Sequence, residues 1–230
     1  MRARTLALLV LAGCPKAPGG RVPTLDAADL FVPGRFDYEE LTSVVGDAPV
    51  TRDTVTEVWE AAPDLTPPDG YPGTVYRVDE FRTGQPPVGT LWVSGERGLG
   101  YYASVGPTGQ VVTYAMKLSL PPTVRTDETW EGVHGEGPGE NTRTCHVEPT
   151  AFCPDAGAAV ACETHWKGGG AVWMRQHYCK GVGWVGYEAL SVRNGVTTRT
   201  WSEEATLDGQ PLPLVGMELR PFPEIVVHTK

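Results

Sequence analysis

The chain has 230 residues with a formal net charge of −9, and 40% of them are apolar or aromatic, including seven Trp and eight Tyr. That is enough material for a packed core, which excludes a wholly disordered chain. No stretch approaches the roughly 20 apolar residues of a membrane-spanning helix, and the acidic balance argues against nucleic acid or anionic headgroups as partners bound by charge.

Met1-Arg2-Ala3-Arg4 is a short basic start, followed over residues 5–11 by a run of Leu, Ala and Val. This is the opening of an export signal, too short for a transmembrane helix. Leu11-Ala12-Gly13-Cys14 then resembles the lipobox of bacterial lipoproteins, in which the peptide before the Cys is removed and the Cys is lipidated. Small side chains at Ala12 and Gly13 admit a peptidase, and the Cys14 thiol is the nucleophile that takes the diacylglyceryl group. The resemblance implies a signal peptide over residues 1–13 and an anchor at Cys14. Two or more acyl chains, at about 0.8 kcal/mol per buried CH₂, hold such a protein stably on a membrane. Pro15 rather than Asp follows Cys14, which in Gram-negative sorting favours the outer membrane. Residues 14–23, rich in Pro and Gly, are expected to form a tether.

Five Cys is an odd number for an exported chain. Setting Cys14 aside for lipid leaves Cys145, Cys153, Cys162 and Cys179, an even four within one third of the sequence. An oxidising compartment makes two disulfides the expectation, with all three pairings open.

Residues 24–30 hold the best helical signal, a turn or two capped by Thr24 or Asp26 and stopped before Pro33. Beyond them, short β-rich runs alternate with turn residues. Runs at 74–82, 90–94, 99–105 and 110–118 are separated by Gly- and Pro-containing loops suited to hairpins. In the fourth run Val112, Tyr114, Met116 and Leu118 are expected to share a buried face, with Thr113 and Lys117 on the wetter one. Pro121-Pro122 ends this meander. A second set follows around Trp130 and at 142–148, 160–166, 171–178, 184–192 and 196–206. Asn194-Gly195 suits a type I′ turn, which predicts Leu190 opposite Arg199 and Glu188 opposite Trp201. Pro211, Pro213, Pro221 and Pro223 mark an extended tail, with residues 224–228 as an added edge strand.

The expected fold is all-β, a single domain over residues 24–230 with the Pro-rich tail at its end. Its antiparallel meander forms a strongly curved sheet or half-barrel, with a two-sheet sandwich as the alternative and at most one or two short helices.

Several stretches together resemble a group of Gram-negative lipoproteins with an antiparallel β domain. The clearest is Tyr178-Cys179-Lys180-Gly181-Val182-Gly183-Trp184-Val185, which is similar to the group's aromatic-x-Pro-Gly-Val-Gly-hydrophobic-Val motif joining two late strands. Leu120-Pro121-Pro122 leading to Thr129-Trp130 is similar to the group's Pro-rich entry into a Trp-bearing strand, and Leu30-Phe31-Val32-Pro33-Gly34 with Tyr38 resembles its opening Phe-Pro segment. Cys179-Lys180 stands where the group tends to have Ala-Pro, which suggests a disulfide-bearing subgroup. The group implies no reaction. In the residues themselves, Gly181 and Gly183 admit positive φ where a strand reverses, and Val182 between them is expected to enter the core. A phosphate loop would need a helix directly afterwards, and a strand is predicted there.

Chemistry is sparse. Cys145-His146, Cys162-x-x-His165 and His177-x-Cys179 interleave thiols and imidazoles as a tetrahedral metal would require, in competition with disulfides. No Gly-x-Ser-x-Gly elbow exists, and Ser94, Ser104, Ser119 and Ser191 sit on predicted strands. His134 and Glu136 lie among glycines in what reads as a solvated hairpin loop. Glu39-Glu40 and Glu203-Glu204 are neighbours on strands and so point to opposite faces, which excludes carboxylate dyads. The Trp residues are read as core and cross-strand fillers rather than a ligand pocket. No catalytic residue, metal or cofactor is nominated. The resulting expectation is a lipid-anchored envelope protein, bound to the membrane through Cys14, with a structural, interaction or ligand-holding role beside an envelope protein partner. The alternative is a half-barrel carrier or sensor for an apolar ligand; a Cys/His metal-dependent enzyme ranks last.

Overall fold

A computed structural model describes residues 24–45, 51–125, 128–134, 141–150, 153, 156–166 and 170–212. Cys14, the tether, Glu136 and the strand expected at 224–228 lie outside the described residues. The chain opens with β1 (Leu25–Asp26), a 3₁₀ turn (Ala27–Leu30), β2 (Gly34–Val44) and β3 (Thr51–Ala61). The first meander continues through β4 (Gly73–Arg82), β5 (Val88–Gly95), β6 (Gly98–Val105) and β7 (Val111–Leu120). After β8 (Thr123–Val124) come β9 (Thr129–His134), β10 (Asn141–Pro149), β11 (Gly157–Trp166) and β12 (Ala171–Cys179). The last strands are β13 (Gly183–Arg193), β14 (Val196–Leu207) and β15 (Gln210–Pro211).

Among the described residues, thirteen strands form one antiparallel sheet in the order β7-β6-β5-β4-β3-β2-β14-β13-β12-β11-β10-β9, with β15 beside β14. The two meanders are joined by the long-range pair β2–β14, in which Leu41 faces Trp201. The path is continuous, so the architecture is a single curved sheet and not a sandwich. It curls until its edges β7 and β9 approach within 8 Å between Cα atoms, but among the described residues no hydrogen-bonded ladder joins them. The sheet stays open along that seam.

One end is stoppered by the N-terminal segment. β1 pairs with β8, with Leu25 opposite Val124. Leu30 is fully buried among Phe36, Leu99, Leu120, Val147, Val160 and Tyr178, which come from strands all round the sheet. The Phe31 ring lies 4.9 Å from Trp59 and 4.5 Å from Tyr76. Burying Leu25, Leu30 and Phe31 at about 1.5–3 kcal/mol each ties the segment firmly to the interior. Backbone bonds Ala27 N to Pro122 O (3.0 Å) and Gly181 N to Asp29 O (2.8 Å) satisfy its polar groups. The turn has no side-chain cap from Asp26, in contrast to the sequence expectation.

The glycines of the β12–β13 turn adopt positive φ, 71° at Gly181 and 92° at Gly183. A Cβ on Gly183 would lie 3.1 Å from the Val32 nitrogen, so this position also needs its lack of a side chain. Val182 departs from expectation: it is half-exposed, because the turn overhangs the stopper instead of pointing into it. At the other end of β13, Asn194 (φ 52°) and Gly195 (φ 76°) build the two-residue hairpin. Leu190 faces Arg199 and Glu188 faces Trp201, the register that this turn predicts.

Two long strands escape the sequence pattern, besides the two-residue strands β1, β8 and β15. β2 and β3 carry Glu39, Glu40 and Glu57 among their apolar residues, which blurs alternation. Gly132, Val133 and His134 also belong to a strand, β9, rather than to a loop.

Candidate functional site: a charged cavity within the curled sheet

Above the stopper the interior is not filled. A cavity of about 610 Å³ remains, lined from β2 round to β13 and reaching solvent past Val88, which is 46% exposed. Its walls combine Trp59, Trp92, Met174 and Trp184 with charged groups on several strands. Pockets of 300–1,000 Å³ with an apolar lining and a few placed polar groups are the usual size and character of small-molecule sites.

On the wall far from the seam, alternation along β2, β3 and β4 turns Tyr38, Glu57, Trp59, Glu80 and Arg82 inward. Glu57 accepts from the Tyr38 hydroxyl (2.9 Å) and from Trp59 Nε1 (2.8 Å). Burial pushes its carboxyl above the usual range, against the opposing pull of those two donors. Arg82 donates to Glu80 through Nε (2.6 Å) and bidentately to Glu40 through Nη1 (2.5 Å) and Nη2 (2.9 Å). Glu40 sits just behind the wall and also accepts from the Tyr187 hydroxyl. Burial alone would raise Glu40; the hydrogen bonds from Arg82 and Tyr187 outweigh it and hold the carboxyl below its usual range. Burial, followed by the neighbouring Glu57 carboxylate, raises the Tyr38 hydroxyl, so it remains a protonated donor. This wall is internally compensated: every carboxylate has a donor.

The wall at the seam is different. Lys117 on β7 and Arg143 on β10 both reach the cavity. Lys117 Nζ lies 4.4 Å from the centroid of Tyr114 and 5.3 Å from that of Tyr101. Arg143 Nη2 donates to Cys162 Sγ at 3.0 Å. Among the described residues, neither cation is ion-paired with a carboxylate. Burial, and then repulsion from Arg143, lowers the Lys117 ammonium.

On a regular strand Lys117 falls on the wetter face, opposite a buried Val112. A register shift between β6 and β7 overturns this. Tyr101 pairs with Lys117, whereas Ala103 pairs with Thr113, so β7 contains extra residues between them. Such a bulge rotates the strand and re-aims the side chains beyond it. Lys117 and Ser119 then face the cavity, while Val112 is 59% exposed instead of buried.

The four predicted cysteines form two bridges, Cys145–Cys162 and Cys153–Cys179. The first joins directly opposed residues of β10 and β11 in the core beside Arg143. The second ties the loop before β11 to the end of β12. Alternation explains why the Cys/His interleaving does not build a metal site. Cys145 and Cys162 point inward, so His146 and His165 must point out, where they bond Glu148 (2.8 Å) and Glu163 (2.7 Å). His177 Nδ1 bonds Thr150 at 3.1 Å. Among the described residues, no group of three or more His, Cys, Asp or Glu is placed to hold a metal ion.

The outer face of β12–β14 carries a compact ionic cluster. Arg175 donates to Glu148 (2.8 Å) and to Glu188, and lies 4.5 Å over the Trp173 ring. Arg199 covers Trp201 in the same way at 5.1 Å. Trp173 and Trp201 thus pack, buried, on the outer face of the sheet, whereas Trp59, Trp92 and Trp184 line the cavity in place of the expected filled core. Glu39 and Glu40 do part to opposite faces, Glu39 meeting Arg52 outside at 2.5 Å. Compared with protein-family models, curated proteins and solved structures, the chain matches none.

Proposed function

We propose that this is an envelope lipoprotein, anchored through Cys14, that holds a small amphiphilic molecule inside its curled sheet. The cavity carries the reading. An interior that served stability alone would be packed to the density of an organic crystal. Here a space of about 610 Å³ is kept open, at the expense of placing Glu57, Arg82, Lys117 and Arg143 on its walls. Its aromatic rings offer a surface for an apolar body, and its charged groups offer orientation. The stopper closes one end and leaves the other as the entrance.

The test uses N-phenyl-1-naphthylamine, a neutral apolar fluorophore, titrated into the full chain. Saturable binding of one probe per chain is expected, and Met174→Trp, which sets a bulkier ring on the cavity wall, should change its affinity. A wild-type protein that binds no probe, or a Met174→Trp variant that binds it equally well, would remove the ligand-holding reading. Anchoring has its own test, since Cys14→Ser should leave the protein in the aqueous phase of a detergent partition. A serine variant that still enters detergent would disprove the anchor.

A further inference from the structure

We infer that the cavity selects ligands bearing one acidic group, which binds at the seam between Lys117 and Arg143. This rests on the ligand-holding reading and adds the chemical class of the ligand. Three observations carry it.

The first is asymmetry of compensation. Glu40 and Glu80 are answered by Arg82, and Glu57 by Tyr38 and Trp59. Lys117 and Arg143, among the described residues, meet no carboxylate: they face aromatic rings, the Tyr101 hydroxyl, a disulfide sulfur and each other's field. Two like charges brought to one wall of a partly desolvated cavity repel, and a bound anion converts that repulsion into attraction.

The second is chemistry. Guanidinium and ammonium donors converging on one cavity suit a carboxylate, sulfonate or phosphate, which accepts charge-assisted hydrogen bonds from both. Tyr101, between the two cations, turns its ring toward Lys117, and Trp92 stacks beside it at 5.0 Å. The apolar body of the ligand would continue from there over Trp92, Trp59 and Met174.

The third is position. Lys117 is on the edge strand β7, and Arg143 is on β10, next to the opposite edge β9. Among the described residues no hydrogen-bonded ladder joins those edges, so an anion held by both side chains would bridge that gap in the wall. Binding should therefore tighten the fold as well as fill the cavity.

The test compares two probes of nearly the same ring system. 1-Anilinonaphthalene-8-sulfonate carries an anionic group that N-phenyl-1-naphthylamine lacks. In the wild-type full chain the sulfonate should bind about tenfold more tightly than the neutral probe and raise the Tm. Lys117→Gln should erase that preference by weakening the sulfonate about tenfold relative to the neutral probe, and Lys117→Arg should keep it. A far-ultraviolet circular dichroism spectrum like the wild type's shows that the Gln variant is folded; Arg143→Gln, judged by the same readouts, provides a second route. Equal affinity for both probes in the wild type, or a sulfonate preference that neither variant alters, would overturn the inference and leave the ligand-holding reading standing. Binding of neither probe would sink both.

Discussion

Replacing Arg82 by Met removes the guanidinium that Glu40 and Glu80 share. The Arg82 side chain is 20% exposed and that of Glu40 11%, so the abandoned carboxylates do not regain full hydration. Breaking a buried pair from one side costs about 3–5 kcal/mol. The cavity admits some water to this wall, which places the expected loss at the lower end, about 3 kcal/mol at pH 7. In a domain of roughly 200 residues that is a fall in Tm of about 6–12 °C. Acid supplies a second signature. Glu40 is held low in the folded wild type, so its contribution is present above its unfolded pKa and is lost as pH falls through the folded pKa. In Arg82→Met burial dominates, the folded pKa moves above the unfolded one, and the carboxyl favours the fold only once protonated. The gap between the two proteins should therefore narrow as pH drops from 7 toward about 4. Thermal melts across that range, with Glu40→Gln and the double variant completing a cycle, measure both effects. A loss within about 1 kcal/mol at pH 7, the level of an exposed pair, together with a gap indifferent to acid, would refute the desolvated network.

Glu57→Gln can keep both bonds, its oxygen accepting from Trp59 and its amide donating to the Tyr38 oxygen. Because burial raises the wild-type carboxyl, wild-type stability drains as pH rises from about 4 through the folded pKa; the variant's should not, and urea titrations at several pH values will show it. Bridges closing separations of 17 and 26 residues should each contribute about 3 kcal/mol. Calorimetry of Cys153→Ser/Cys179→Ser should thus show a Tm lower by about 6–12 °C, and an unchanged Tm would deny the bridge a structural role. Asn194→Ala places a Cβ-bearing residue with no local hydrogen bond at φ 52°, costing about 1 kcal/mol, whereas Asn194→Gly should cost less; equal losses would point away from backbone conformation.

Local signals in this chain were legible wherever a single short-range cause operates. Asn194-Gly195 demands positive φ at two successive residues, and that alone sets which residues of β13 and β14 face each other. The Gly- and Pro-rich loops of the first meander place hairpins for the same reason, and four clustered Cys in an even number announce two bridges. Choosing Cys145–Cys162 and Cys153–Cys179 required knowing which strands lie side by side. The cavity was not legible, because inward-facing Glu40, Glu57 and Lys117 look like solvent-facing residues until the sheet closes round them. The same acids hid β2 and β3, whose pairing through β14 joins the two meanders. Alternation tells that two residues lie on opposite faces; only long-range pairing and the β7 bulge decide which face is the inside.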